Sequence, residues 1–425
     1  MDLSNAPVNR DRLWADLMAL AAVTDPDRPW TRRSFTPRFL EGRAWLARRF
    51  QDAGLAVRID AAGNLIGRRE GRVAGAKAIL IGSHSDSVPS GGRFDGPAGV
   101  LAGLEVARAL FDRGVVLDHA VEVIDFLAEE PSDYGLSCVG SRGMAGALGP
   151  AELAMTGPGG ETLGAAIARV GGAPERLAEA VRDDVAAYLE LHIEQGTVLE
   201  SQALDAGIVT AIVGITRVEI VFQGEAAHAG TAGMRHRRDA AVAASAAVLA
   251  VRDVATALLD RGEGYVVATT GIVTVSPGAA NVVPGEARIV IDARAETRAL
   301  CDLLLAGIAA QAKAIAAETG VTLARFAVLS RNDPSACDPG LRKTLADSAA
   351  ALGCTTTVMA SGAGHDAAFV SRIAPSAMLF IPCREGRSHC PEEWSEPDEV
   401  AAGAAVLFEA VCRIDRDPPR REETR

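Results

Sequence analysis

A chain of 425 residues is too long for one ordinary core and suits two domains. Its composition, 48% hydrophobic and 23% charged, is that of a globular protein, and with only 4% aromatics the core must be built from Ala, Val, Leu and Ile. The net charge of −12 argues against a nucleic-acid partner, which calls for a basic face.

Residues 1–12 hold no apolar stretch that could act as a signal peptide, and no uninterrupted apolar run approaches the length of a membrane span. Seven cysteines are scattered without a Cys-x-x-Cys pair and read as reduced thiols. A cytoplasmic protein without membrane attachment is expected. Residues 11–25 and 37–53 show helical spacing; in the second, Phe39, Leu40, Trp45, Leu46 and Phe50 share one face. A buried strand is predicted at 78–81. A helix follows at 97–113, with Pro97 near its start and Gly114 past its end. Strands are predicted at 121–128 and 187–192. Strands alternating with helices imply an α/β layer with a largely parallel sheet.

The middle of the chain has a different order. Strand 215–223, helix 239–259, strands 265–275 and 286–294, helix 298–319 and strand 321–329 make a β-α-β-β-α-β unit of the ferredoxin-like kind. In strand 286–294, Ala287, Ile289, Ile291 and Ala293 share one face. After Pro334 the first pattern resumes with helix 341–352, strands 355–359 and 377–381, and helix 398–412. The predicted fold class is therefore α/β: a mixed, largely parallel sheet with flanking helices, plus an inserted ferredoxin-like α+β domain. The expected divisions are 1–213, 214–331 and 332–425. The charged tail 413–425 is expected to fray.

Histidines, an aspartate and paired glutamates gather in polar or glycine-rich turns at predicted strand ends, where α/β sheets bind ligands. His84 and Asp86 lie in Gly82-Ser83-His84-Ser85-Asp86-Ser87. Two residues apart in extended chain, they point the same way, so the carboxylate can fix the imidazole tautomer. Asp95 sits in Gly91-Gly92-Arg93-Phe94-Asp95-Gly96-Pro97. Glu129-Glu130 closes an apolar strand; in extended chain the two point in opposite directions, one toward a metal and one toward its water. His192 lies in Glu190-Leu191-His192-Ile193-Glu194-Gln195-Gly196, and His389 in Arg387-Ser388-His389. Singly, these are equally a Ser/Asp-rich turn, an N-cap aspartate, a solvated acidic turn and structural histidines. Together they form a mixed N/O ligand set suited to zinc or a related divalent ion. One bridging Asp with two ligands per ion gives a two-metal site, with ions about 3.5–4 Å apart. By pattern alone His228 is a loop His, Asn281 a turn Asn and Arg294 a surface Arg.

From Asp60-Ala61-Ala62-Gly63-Asn64 to Ser388-His389, nearly the whole chain resembles the allantoate amidohydrolase / N-carbamoyl-L-amino-acid hydrolase / β-ureidopropionase family, within the clan of di-zinc aminoacylases and peptidases. Residues 82–103, 190–196 and Ser361-Gly362-Ala363-Gly364-His365-Asp366-Ala367 carry the most specific likeness. The resemblance implies His84, Asp95, Glu130, His192 and His389 as ligands of two divalent ions per subunit, with Asp95 bridging. The metal it implies is zinc, or else manganese, cobalt or nickel. It implies Glu129 as general base and Asp86 as the residue orienting His84. It implies Gln195, His228, Asn281, Arg294 and Gly364 as substrate-binding positions, with His228 also stabilising the oxyanion. It implies an inserted domain that acts as a lid and forms a homodimer, and a small carboxylate-bearing substrate. The expected reaction removes the carbamoyl group of an N-carbamoyl-L-amino acid. Allantoate, β-ureidopropionate and N-acyl amino acids are the alternative substrates, and a non-catalytic metal-bound binding protein is the reading from another class. The chain departs from the family at Pro131-Ser132-Asp133-Tyr134-Gly135, where many relatives read Gly-Ser-Arg-Phe, and at Gly233, where a Pro is common.

Overall fold

A computed structural model of the chain describes residues 6–419. Residues 1–5 of the N-terminal stretch expected to hold no signal peptide, and residues 420–425 of the charged tail expected to fray, lie outside the described residues. The chain divides into two compact units: Met1–Thr210 with Ala336–Met359 and His365–Arg425, and Ala211–Ser335 with Ala360–Gly364.

Fifteen strands are formed among the described residues. They are β1 (Ala56–Ile59), β2 (Leu65–Arg69), β3 (Ala78–His84), β4 (Val121–Phe126), β5 (Val185–Ile193), β6 (Ala206–Ile212), β7 (Gly214–Gln223) and β8 (Ala227–His228). The rest are β9 (Val266–Ser276), β10 (Val282–Val283), β11 (Glu286–Ala295), β12 (Thr322–Asn332), β13 (Ser335–Ala336), β14 (Thr356–Ser361) and β15 (Ser376–Ile381). The large sheet has the order β1-β2-β4-β3-β5-β15-β6-β13, with β14 also on β6. Its centre, β4-β3-β5-β15, is parallel, while β1, β2 and β6 pair antiparallel. Every residue of the four central strands is buried, as expected where helices cover both faces.

The helix Pro97–Asp112 packs across β3, β4 and β5. Gly99 lets its first turn lie on the strand ends: a Cβ there would fall 2.3 Å from Leu191 O and 2.7 Å from the Ser83 Cβ. The second unit has a four-stranded antiparallel sheet, β12-β7-β11-β9, with helices Ala240–Leu259 and Arg298–Thr319 between its strands in sequence. Both helices are long and apolar enough by length and composition to cross a membrane, although charged residues interrupt each, Arg252 and Asp253 in the first and Asp302 and Lys313 in the second. They are core helices: Ala243, Ala247 and Val251 of one and Leu304, Ile308 and Ala312 of the other share one apolar core with Ile220, Ile289 and Ile291.

Other boundaries also shift. The first helix ends at Ala21 rather than 25, and β4 stops at Phe126 rather than 128. The last helix runs on to Arg416, so the tail is ordered four residues past 412. Its apolar face explains this, because Val411 and Ile414 are both buried.

Candidate metal centre

β3 and β5 end side by side in the parallel centre and deliver His84 and His192 at the same edge of the sheet. Asp95 lies in the glycine-rich loop before the helix Pro97–Asp112. Gly96, at φ 84°, turns the chain so tightly that a Cβ would fall 2.5 Å from the His84 ring. The two oxygens of Asp95 face different partners. Oδ1 is 3.0 Å from His192 Nε2 and 3.6 Å from His84 Nε2. Oδ2 is 3.0 Å from His389 Nε2, which is itself 3.2 Å from Glu130 Oε1. Two donor groups result, His84–Asp95–His192 and Asp95–Glu130–His389, with Asp95 in both.

Glu129 and Glu130 reach this arrangement by a turn rather than an extended strand. Ala128 takes a left-handed φ of 52°, and both glutamate N–H groups donate to the Asp86 carboxylate, at 3.2 and 3.3 Å. The glutamate side chains then part. Glu129 Oε2 lies 3.7 Å from His84 Nε2, and Glu130 goes to His389. The His84 imidazole meets the backbone carbonyl of Asp86 at 3.1 Å and its carboxylate at 3.5 Å. Asp86 therefore contacts both the His84 ring and the glutamate turn.

The electrostatics fit a cation. Burial by itself would lower the His84 imidazole, yet Asp86, Asp95 and Glu129 raise it well above its ordinary value. Burial likewise opposes charging of His192, and Asp95 raises it. His389 is pushed up to about 11 by Asp95 first and Glu130 second. Burial first, then the charges of Glu130, Asp366 and Asp86, hold the Glu129 carboxyl well above the usual range against the pull of His84. A carboxylate cluster that draws protons onto three imidazoles is short of positive charge. Three imidazole nitrogens and two carboxylates, none of them thiolate, suit a borderline or hard divalent ion. The donors present therefore fit the implied pair of ions.

Several contributors escaped the sequence reading. Glu190, two residues before His192 on β5, is fully buried and accepts from Ser83 Oγ, Tyr188 OH and Ala367 N. Asp366 accepts from Ser141 Oγ at 2.6 Å, and His365 packs edge-on against His192 at 4.5 Å. The Cys138 thiol donates to Glu129 Oε1 at 3.4 Å. Glu393 is buried behind Asp95 and accepts from Phe94 N, Asp95 N and Ser388 Oγ; burial first, and Asp95 second, push its carboxyl up to about 7.

Of the remaining expected positions, Gln195 is in the first unit, with its amide 2.9 Å from Asp95 Oδ2. The others lie in the second unit. His228 on β8 pairs with Val282, beside Asn281, and Gly364 is exposed. Arg294 stands on the non-apolar side of β11 as expected, but its guanidinium is not free: it donates to Asp292 and to Gly362 O, each at 2.7 Å. The departing segment after Glu130 is anchored by Tyr134, which packs edge-on against Phe35 at 5.2 Å and donates to Glu161.

Comparison with known proteins agrees with this architecture. The family model for peptidase family M20/M25/M40 matches residues 80–413. The N-carbamoyl-L-amino acid amidohydrolase of Geobacillus stearothermophilus is 39% identical over 410 residues, 96% of this chain and 99% of that protein. The ureidoglycolate hydrolase of Arabidopsis thaliana is 35% identical over 427 residues, 97% of this chain and 88% of that protein. A solved hydantoinase/carbamoylase-family amidase from Burkholderia multivorans superposes with a TM-score of 0.88 at 35% identity, over 97% of this chain and 99% of that one. The chain belongs to the M20/M25/M40 peptidase family.

Proposed function

We propose that this protein is a metal-dependent amidohydrolase that removes the carbamoyl group from an N-carbamoyl-L-amino acid or related ureido acid, giving the amine, carbon dioxide and ammonia. The observation that carries this reading is the sharing of Asp95 between two donor groups, with a further carboxylate, Glu129, beside them and in neither. His84, Asp95 and His192 would hold one ion, and Asp95, Glu130 and His389 a second. Zinc is the first candidate, then manganese, cobalt or nickel. Such a pair supplies Lewis-acid polarisation of a carbonyl and a water acidified toward neutrality.

The chain's own residues do the rest. Glu129 accepts the proton of the attacking water at Oε2 and returns it to the leaving nitrogen. Cys138 holds the other oxygen, Oε1. Burial keeps the Glu129 carboxyl basic enough for both transfers. His228 is assigned to the carbonyl oxygen as negative charge develops, a contribution of about 3–4 kcal/mol for a well-placed donor. Arg294, Asn281, Gln195 and Gly364 are assigned to the substrate, with Arg294 forking onto its carboxylate.

The second unit is assigned to closing over substrate and to forming a homodimer. In support of the dimer, among the described residues β9 pairs on one side only, with β11, and exposes Ile272, Val273 and Val275. A monomer by sedimentation at micromolar concentration contradicts it. A cytoplasmic location is expected, and fractionation of producing cells checks it.

The likeness to the plant ureidoglycolate hydrolase supports a second reading, hydrolysis of a ureido-hydroxy acid. The test is ammonia release by the metal-loaded protein from carbamoyl amino acids, allantoate, β-ureidopropionate, ureidoglycolate and acyl amino acids. Carbamoyl amino acids are expected to react fastest. A clear preference for ureidoglycolate selects the second reading, and no ammonia from any ureido acid overturns both.

A further inference from the structure

The two donor groups are anchored differently. His84 and His192 end fully buried strands in the parallel centre of the sheet. His389 sits in a loop, its side chain about half exposed and its backbone at a left-handed φ of 57°. Such a conformation costs about 1–3 kcal/mol and persists only where surrounding contacts impose it.

Those contacts converge on Glu393. Its side chain is fully buried. Oε1 accepts the N–H groups of Phe94 and Asp95, at 2.8 and 3.0 Å. Oε2 accepts the hydroxyl of Ser388, the neighbour of His389, at 2.8 Å. Ser388 Oγ also lies 3.0 Å from Asp95 Oδ2, so its one hydrogen is shared between two carboxylates. Gly92 makes the room, because a Cβ there would fall within about 2 Å of the Glu393 carboxyl group. The next residue, Trp394, grips the same loop from outside: its ring meets Phe94 edge-on at 5.6 Å and stacks on the Arg93 guanidinium at 4.6 Å.

We infer that Glu393 is a positioning residue that ties the Asp95 loop to the His389 loop and thereby sets the affinity of the Asp95–Glu130–His389 group for its ion. The inference rests on the two-ion reading above. Without Glu393, Asp95 keeps its place at the helix start and its bond from Gln195, so the first group persists. His389 loses the link that fixes its loop. Removing the partner that orients a ligand typically lowers metal affinity about 10–100-fold.

The test is calorimetric titration of the metal-free protein with zinc, with metal analysis after dialysis and near-ultraviolet circular dichroism to verify folding. Wild type should take up two ions per chain. Glu393→Ala should keep one at wild-type affinity and bind the second about 10–100-fold more weakly. Glu393→Gln keeps a carbonyl oxygen for the two N–H groups and an amide that can donate to Ser388 Oγ, and should restore most of the loss. Ser388→Ala removes the hydroxyl that joins Glu393 to the His389 loop, and with it the contacts to Asp95 and Gln195, while leaving Glu393 on Phe94 N and Asp95 N; it should also weaken the second ion and decides the matter if Glu393→Ala does not fold. Two ions at wild-type affinity in a folded Glu393→Ala, or in Ser388→Ala when the former is unfolded, overturns the inference alone. A wild type that takes up a single ion overturns the two-ion reading and this inference with it.

Discussion

The Cys138 thiol donates to Oε1 of Glu129, which leaves the other oxygen of that carboxylate facing His84 at 3.7 Å. Neither donor group includes Glu129, whereas Glu130 belongs to one of them. On the proposed function the adjacent glutamates divide into a proton carrier, Glu129, and a ligand, Glu130. Glu129→Gln should retain bound metal and lose about 10²–10⁴-fold in kcat. Glu130→Gln should lose an ion. Metal analysis beside turnover checks both. Loss of metal from Glu129→Gln with retention in Glu130→Gln reverses the assignment.

Arg294 is preorganised rather than free. Asp292 and Gly362 O hold its guanidinium, which on the proposed function sets the fork for the substrate carboxylate. Lys has one nitrogen and cannot replace both contacts while binding a carboxylate with two parallel bonds. Arg294→Lys should cost roughly 1.5–3 kcal/mol in kcat/KM, about tenfold to a hundredfold, for free-acid substrates. Metal content should not change. Amide-capped substrates should react poorly with wild type and about as well with the variant. Equal wild-type rates on capped and free substrates would remove Arg294 from the substrate carboxylate.

The segment after Glu130 is held by a small charged network. The Arg169 guanidinium first, and the Tyr134 hydroxyl second, hold the Glu161 carboxyl down at about 2. Its folded value is thus below the unfolded one of about 4.3. The resulting stability is fully present above about pH 4.3 and is lost as pH falls through about 2. Glu161 is about a third exposed, so the effect is small. Glu161→Gln should lower Tm at pH 6 by more than at pH 3. A gap of the same size at both values contradicts the linkage.

The parts of the fold legible in sequence were those where one physical force dominates. β3 and β5 read as apolar runs because both faces are buried, and β11 alternates because only one is. β1 was missed because it is a four-residue edge strand, mostly exposed and half polar in its central residues. β6 was missed because it abuts β7 across the single residue Val213, with no turn signal between them. The candidate ligands His84 and His192 were legible as rare residues at strand ends. The geometry of Glu129 and Glu130 was not, because a left-handed Ala128 has no sequence mark. Glu393 was invisible for another reason: it acts on Asp95 from 298 residues away and has no periodic pattern of its own.

The most direct measurement is carbamoyl-amino-acid turnover against bound metal, followed as chelator strips the protein and divalent ions are returned. Ammonia and free amino acid should appear in equal amounts. Their rate should fall to background as the metal is removed and return with zinc, manganese, cobalt or nickel. Undiminished turnover by protein shown by metal analysis to hold no divalent ion would contradict the account.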